Sequence, residues 1–520
     1  MSEYRNLAKN TVIFAVGQFS VKFIQFFLMP LLTVALTTEA YGSAEALASL
    51  VELIIPLFTL GLQDAVFRFC MRKEIDNKTV LSSTLAVVTA GLIVIAGGAL
   101  VAMNWVGLMQ SIMFIVLYIC YALTNIFGQY IRGSGYIKTY AAGGIVQALL
   151  LAGSAAVFVY WLRLGAFGYL LSMSIAYFAF ITMTFFIGKI YKSISFKAID
   201  KAVFRDMLKY ALPLIPNAVC WWFIQVVNRY VIIGFAGEAA AGLYVYSSKI
   251  ATIINIFGTI FLQAWTISTV NSLDDEKKGE FNTRVFKAFS IFIQAATFGL
   301  LLLLPFVSMF LLQGEFYQAW RYSSIAIFTA VMSCYGSFFG AFYGANMKTK
   351  VVFISTLVGA LVNTAACFLL VWLLNIEGAL FASSAGYVVL AVIRIVTTQK
   401  YSLIKVNWFK EIVVLTLLFA DAFMILYSKH VPTVWYWCGQ AVAICLFIII
   451  SFKDIKIFFD SLIKFCKRFL GKKRTVEATD GGAGENAEPA IAEQAAAEQV
   501  EDGNADTVEE VPTQEERVND

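Results

Sequence analysis

Two basic residues, Lys22 and Arg229, occupy long apolar stretches where a bilayer would make a charge most costly. Amides accompany each at helical spacing: Gln18 and Gln25 around Lys22, Gln225 and Asn228 beside Arg229. Cations framed by neutral hydrogen-bonding groups suit a polar cavity that receives an anion, with arginine as a bidentate clamp and lysine as a point charge. Lys249 follows in the next apolar stretch. Arg229 and Lys249 lie about 8 and 12 residues from their shared turn, so at ~1.5 Å per residue they reach similar depths. Neither stretch supplies an acid, so an anion or abundant water must be near them. The alternative is snorkelling towards the nearby interface.

The same depth arithmetic applies to the first hairpin. Its turn centres near Thr37, which leaves Lys22 and Glu52 each about 15 residues away and level with one another. Two readings stay open: a buried ion pair that only satisfies both charges, or a cavity cation whose partner gains and loses a proton or sodium ion. Arg68 closes the second apolar stretch, either as an interfacial arginine or as a substrate contact. Arg394, near the end of its span, is expected to snorkel. Asp421, mid-span near the C-terminus, is a second candidate for ion coupling. Asn125, Gln129, Asn217, Asn255 and Gln263 either line a cavity or bridge helices.

Composition decides what must position these groups. The chain of 520 residues is 60% hydrophobic and only 14% charged, with a mean hydropathy of +0.76. That is an integral membrane composition. Arg5 and Lys9 precede an apolar run far longer than the core of a cleavable signal peptide. The 8 cysteines are scattered through apolar segments without metal-ligand spacing and read as core thiols. No phosphate-binding loop, zinc-protease or nucleophile-elbow motif is present, and the loops are too short to house a transferase site. The expectation is a protein that is not an enzyme and uses neither cofactor nor metal.

At about 20 apolar residues per span, fourteen helices are expected between residues 11 and 452. With the N-terminus cytoplasmic, the internal loops collect Arg72, Lys78, Arg132, Lys138, Lys192, Lys209, Lys278, Lys350 and Lys405, whereas the opposite loops hold only Arg163, Arg321 and Lys429. The alternation holds throughout and places both termini inside. A repeat relates GQYIRGSGYIKTYAAGG, from Gly128, to GAFYGANMKTKVVFIST, from Gly340; Lys138 and Lys348 align at an offset of 210, as do Gly168 and Gly378. Parallel halves of six helices follow, with the substrate expected between them. The expected domains are 1–205 and 206–402 for the two six-helix bundles, 403–452 for two additional helices, 453–474 for a basic amphipathic juxtamembrane segment and 475–520 for a disordered acidic tail. The tail carries about −13, so the rest of the chain is near +18 against a total of +5. Most of that excess is topological, and no nucleic-acid partner is inferred.

KNTVIFAVGQFSVKFIQFFLMPLLT, YGSAEALASLVELIIPLFTLGLQDAVFRF and the later LKYALPLIPNAVCWWFIQVVNRYVIIGFAGEAAAGLYVYSSKIA resemble the corresponding segments of bacterial polysaccharide-export flippases. These belong to the multidrug/oligosaccharidyl-lipid/polysaccharide exporter superfamily. The resemblance covers about residues 1–455 as an ordered set of loose patterns. It implies an all-α, MATE-like fold of two six-helix bundles plus two helices, alternating between inward- and outward-open states in the bacterial cytoplasmic membrane. It also implies an undecaprenyl-pyrophosphate-linked oligosaccharide as substrate and, as partners, a coupling ion and other polysaccharide-assembly proteins. Cationic cavities are a feature of that group, matching Lys22, Arg229 and Lys249 by position and type. A lipid-linked peptidoglycan-precursor flippase and a cation-coupled drug exporter are the alternatives. The first helix carries Lys22 and no acid, which argues against the drug-exporting branch, although Glu52 remains. The acidic tail matches nothing in the family.

Overall fold

A computed structural model describes residues 20–72, 74–268, 275–345, 349–402, 404–430 and 432–479; within these, the side chains of 106, 196, 263–268, 275–278, 343–345, 349–350, 400–402, 430 and 458–479 are not described. The described backbone is helical without strands. In chain order the helices are α1 (Ser20–Ala35), α2 (Thr38–Phe58), α3 (Leu62–Cys70), α4 (Asn77–Val106), α5 (Leu108–Gly133), α6 (Ile137–Ala155), α7 (Gly165–Ile187) and α8 (Lys201–Ala211). They continue as α9 (Ile215–Ser268), α10 (Asp275–Leu311), α11 (Ala319–Ala345), α12 (Thr349–Leu374), α13 (Ile376–Ser402), α14 (Trp408–Leu426) and α15 (Thr433–Thr479).

Local chemistry sets several of the boundaries. Thr37, Asp76, Asp200 and Asn407 each accept a hydrogen bond from a backbone N–H in the first turn of α2, α4, α8 and α14, meeting the orphan donors of a helix start. Straightened out, the 54 residues of α9 would run for about 80 Å, well over twice the hydrocarbon thickness. Gly237, at φ 86° and ψ 171°, breaks it into two limbs, residues 215–236 and 238–268.

Among the described residues, eleven helical segments are long and apolar enough to cross a membrane. One of them holds both limbs of α9. The shorter α1 and the more polar α14, which carries Lys410, Glu411 and Asp421, complete fourteen crossings. α1, α2 and α4–α7 make the first six; the limbs of α9 with α10–α13 make the second. The sequence repeat lands on equivalent elements, since Gly128 and Gly168 lie on α5 and α7 and Gly340 and Gly378 on α11 and α13. α14 and α15 pack on the second set through Phe328–Phe419, Phe298–Phe447 and Phe306–Trp437 ring contacts. A single apolar core runs from Leu28 to Phe447.

The bundles meet where α2 crosses the second limb of α9. A Cβ on Gly42 would lie 2.2 Å from the Glu238 carbonyl oxygen, and one on Gly242 would lie 2.1 Å from that of Thr38. Only glycine at both positions lets the backbones approach this closely.

The described residues through Ile455 belong to one compact unit, and those from Lys456 onward to a second. The α15 backbone is helical through the basic stretch to Thr479, but most of that stretch's side chains, and the acidic tail beyond, lie outside the described residues.

Candidate functional site

Glu45, on α2, is the centre of the charged site. Its Oε1 accepts from Lys249 Nζ at 2.7 Å, and Arg229 Nη2 lies 3.7 Å from its Oε2. Arg229 Nη1 also donates to the Glu45 main-chain carbonyl. The Tyr41 and Tyr169 hydroxyls donate to the same carboxylate at 2.8 and 3.0 Å. Lys249 Nζ sits 4.8 Å from the centre of the Tyr41 ring, within cation–π range. One carboxylate thus faces two cations, across the interface between the bundles.

The anion that the depth of Arg229 and Lys249 demands therefore comes, in this conformation, from the protein. Neither helix of that hairpin carries it, because it belongs to the other bundle. The sequence did hold the signal. Tyr41, Glu45, Ser49 and Glu52 share one face of α2, and Glu45 lies as far from the Thr37 turn as Arg229 lies from Gly237.

Beside this cluster is a cavity of about 260 Å³ lined by Lys22, Gln25, Gln147, Tyr169, Tyr246 and Lys249, among others. Two smaller cavities adjoin it. One of about 180 Å³ within the first bundle shares Gln147 and adds Asn125, Gln129 and Arg132. Another of about 170 Å³ in the second bundle shares Thr252 and adds Gln225 and Asn255. Linked through Gln147 and Thr252, the three make a series from one bundle to the other, here called the trough, and Lys249 of the Glu45 cluster lines its middle member.

Lys22, Gln25, Lys249 and Gln225 therefore face this trough, whereas Arg229 does not line it and has a buried Nε without a hydrogen-bond partner among the described residues. Glu52 is within electrostatic range of Glu45, Arg229, Lys249 and Lys22. No Lys22–Glu52 ion pair forms, so the reading of a closed pair does not hold for this conformation. Asn228 does not reach the trough. It is 1% exposed, and its Nδ2, with two hydrogens to give, lies within hydrogen-bonding distance of Tyr244, Asn363, Ser383 and the Ala379 carbonyl, which makes it a bridge inside the second bundle. Arg394 also departs from expectation. It is buried and donates to Ser355, Thr356 and the Gly336 carbonyl, because helix-bridging acceptors within reach replace water at the interface. Arg68 lies apart, exposed at the end of α3 with its guanidinium 4.7 Å from the Tyr210 ring of α8. Asp421 is remote as well, between α14 and α15.

Hydrogen bonds also join the bundles along α1 and α2. Thr33 donates to the Leu311 carbonyl at 3.1 Å and Thr38 to Glu315 at 3.0 Å. The Tyr230 hydroxyl donates to the Ala46 carbonyl at 2.6 Å, and the Trp222 indole N–H to the Ser49 carbonyl at 2.7 Å. The Thr33 and Thr38 bonds lie between the charged cluster and the face bearing the Thr37 and Gly237 turns, the Tyr230 bond is level with the cluster, and the Trp222 bond lies beyond it. The trough is thus sealed from that face by close-packed helices.

The sequence profile described as "Polysaccharide biosynthesis protein" matches residues 7–267. No curated protein is significantly similar in sequence. Among solved structures, the inward-facing form of a multidrug resistance MATE transporter of the MOP superfamily aligns with a TM-score of 0.58 at 14% identity, over 74% of this chain and 97% of that one. The lipid II flippase MurJ, in an inward closed conformation, aligns with a TM-score of 0.56 at 15% identity over 87% and 100%. A MOP-superfamily transporter from Pyrococcus furiosus, described as having a binding pocket of reversed polarity, aligns at 0.50 and 15% identity over 75% and 95%. At such identities the likeness is one of fold: the chain has the architecture of MOP-superfamily transporters.

Proposed function

Because the chain belongs to the polysaccharide biosynthesis protein family, we propose that it is a flippase for undecaprenyl-pyrophosphate-linked oligosaccharide units. It moves them from the inner to the outer leaflet of the bacterial cytoplasmic membrane by alternating access. Both termini are cytoplasmic, as the basic loops require, so the sealed face bearing Thr37 and Gly237 is the outer one. The arrangement is then an inward-facing state with its outer gate closed.

The carrying observation is the Glu45 cluster beside a trough that presents Lys22 and Lys249. A pyrophosphate entering the trough meets those two ammonium groups and the Gln25 and Gln225 amides, while the polyprenyl tail stays in lipid. As the anion takes over Lys249 and then Arg229, Glu45 loses the partners that tie α2 to α9. Substrate binding thereby weakens the outer seal, which is the differential interaction that a conformational change requires. Arg68, at the inner end of α3, acts at the cytoplasmic mouth. The inside-negative potential favours outward movement of the anion by about 2.3 kcal/mol per charge per 100 mV. Glu52, close to Lys22, Arg229 and Lys249, is the trough's candidate for a coupling proton or sodium ion.

A lipid-linked peptidoglycan precursor is the second reading, favoured by the longer share of this chain that aligns with MurJ. Both substrates carry the same polyprenyl pyrophosphate, and the sugar distinguishes them. Lipid-linked glycans extracted from a deletion strain decide the matter. A complete repeat unit trapped on the inner leaflet with surface polysaccharide lost supports the proposal, trapped lipid II transfers it to the second reading, and normal export of both contradicts it.

A further inference from the structure

Asp421 is 3% exposed on α14, in the interface with α15. Gln440 Nε2, on α15, donates to Asp421 Oδ1 at 2.6 Å. The other oxygens of both groups, Asp421 Oδ2 and Gln440 Oε1, are buried and have no hydrogen-bond partner among the described residues. The Tyr436 hydroxyl, one turn before Gln440 and within electrostatic range of Asp421, is equally buried and unpartnered. Among the described residues, no cation lies within ion-pair distance of Asp421.

The surroundings offer little to neutralise a charge. From α11, Ser324 donates to the Ala422 carbonyl, and Arg321 lies against Trp320, 5.6 Å from its ring, in electrostatic contact with Tyr322. From α13, Glu377 is occupied by the Tyr427 hydroxyl at 2.8 Å. From α10, Phe298 and Phe306 present rings to α15. A bare carboxylate here would keep two buried acceptor oxygens, its own and that of the amide, without a donor, which is costly away from water. One proton on Oδ2 removes both deficits. It gives the carboxyl a donor for Gln440 Oε1 while Gln440 Nε2 continues to donate to Oδ1, which is the reciprocal pairing of a carboxylic acid with a primary amide.

We propose that Asp421 and Gln440 form a proton-binding site between α14 and α15, with Tyr436 as its connection to the outer face. Asp421 is five residues from the end of α14 and Tyr436 three from the start of α15, so the site lies within about 8 Å of that face along the helix axis. A proton taken up there from outside and released to the cytoplasmic side when the α14–α15 packing changes supplies coupling, in exchange for outward substrate movement, at a site separate from the trough. The coupling role rests on the transport reading; the proton itself does not.

Infrared spectroscopy of the full-length protein in lipid nanodiscs separates the two. At neutral pH the wild type should show the carbonyl stretch of a protonated carboxyl, absent from Asp421→Asn. In Gln440→Leu the band should persist at higher frequency, because its acceptor is gone, and this variant serves if Asp421→Asn does not fold. In liposomes, export of the polyprenyl-linked substrate should respond to an imposed pH gradient by up to about tenfold per unit for one coupled proton, and Asp421→Asn should abolish the response. Spectra of wild type and Asp421→Asn that match in this region would overturn the site, as would a sodium-dependent stabilisation lost in Asp421→Asn. A proton band with gradient-independent export would overturn its coupling role. Failure of the flippase reading alone would leave the infrared result standing.

Discussion

Glu45 holds two cations of the opposite bundle, so its removal acts on the gate and on the trough together. With Glu45→Gln, the Tyr41 and Tyr169 hydrogen bonds keep an acceptor while Arg229 and Lys249 lose their counter-charge. Breaking a buried pair from one side costs about 3–5 kcal/mol. The carboxylate keeps 14% side-chain exposure, so a smaller loss of outer-gate closure is expected. It would be read as increased labelling of a cysteine placed at Ser43 from the outer face; unchanged labelling would remove Glu45 from the gate. Lys22→Ala should lower export at least tenfold at normal abundance, with Lys22→Arg retaining part of it, because the trough needs the charge more than the geometry of an ammonium. Equal export by Lys22→Ala and wild type would exclude Lys22 from anion binding. The sequence already marked Lys22, Arg229 and Lys249 by type and depth. It concealed Glu45 because its partners are about 180 to 200 residues away, and burial between bundles leaves no local pattern beyond the polar face of α2. Asn228 misled for a related reason: an amide beside a membrane arginine has the same spacing whether it faces a cavity or three neighbouring helices.

Helices α2 and α9 carry the gate through their glycines. Gly42→Leu or Gly242→Leu places side-chain atoms where the opposing carbonyl oxygens already lie closer to a Cβ than van der Waals contact allows. Closure on this face should fail, leaving the outer side open. A disulfide between cysteines introduced at Thr37 and Glu238 would form in the wild-type background and be lost in these variants; crosslinking at the wild-type level would refute the glycine contact. Arg394 belongs to this scale too. Arg394→Leu leaves Ser355, Thr356 and the Gly336 carbonyl without their donor, at about 1–3 kcal/mol for each group that stays unsatisfied. Lower folded yield is expected, with no change in substrate preference. Hydropathy and loop charge were enough to count the crossings, since each is a local property of some twenty residues. The α2–α9 crossing was not legible, because small residues at one helix contact look the same as small residues facing lipid.

Over the whole molecule, two six-helix bundles enclose a polar trough that is sealed on one face, and two further helices pack outside the second bundle. The repeat between Gly128 and Gly378 makes the two-fold organisation legible in the sequence, whereas the conformational state is not, since one sequence encodes every state of the cycle. The account stands or falls on whether the trough moves a lipid-linked anion. The direct measurement is the location of undecaprenyl-linked glycan in a deletion strain complemented with wild type or with Lys22→Ala/Lys249→Ala at matched abundance. Wild type should restore surface polysaccharide, and the double variant should leave complete repeat units on the inner leaflet. Restoration of export by the double variant to the wild-type level would contradict the account.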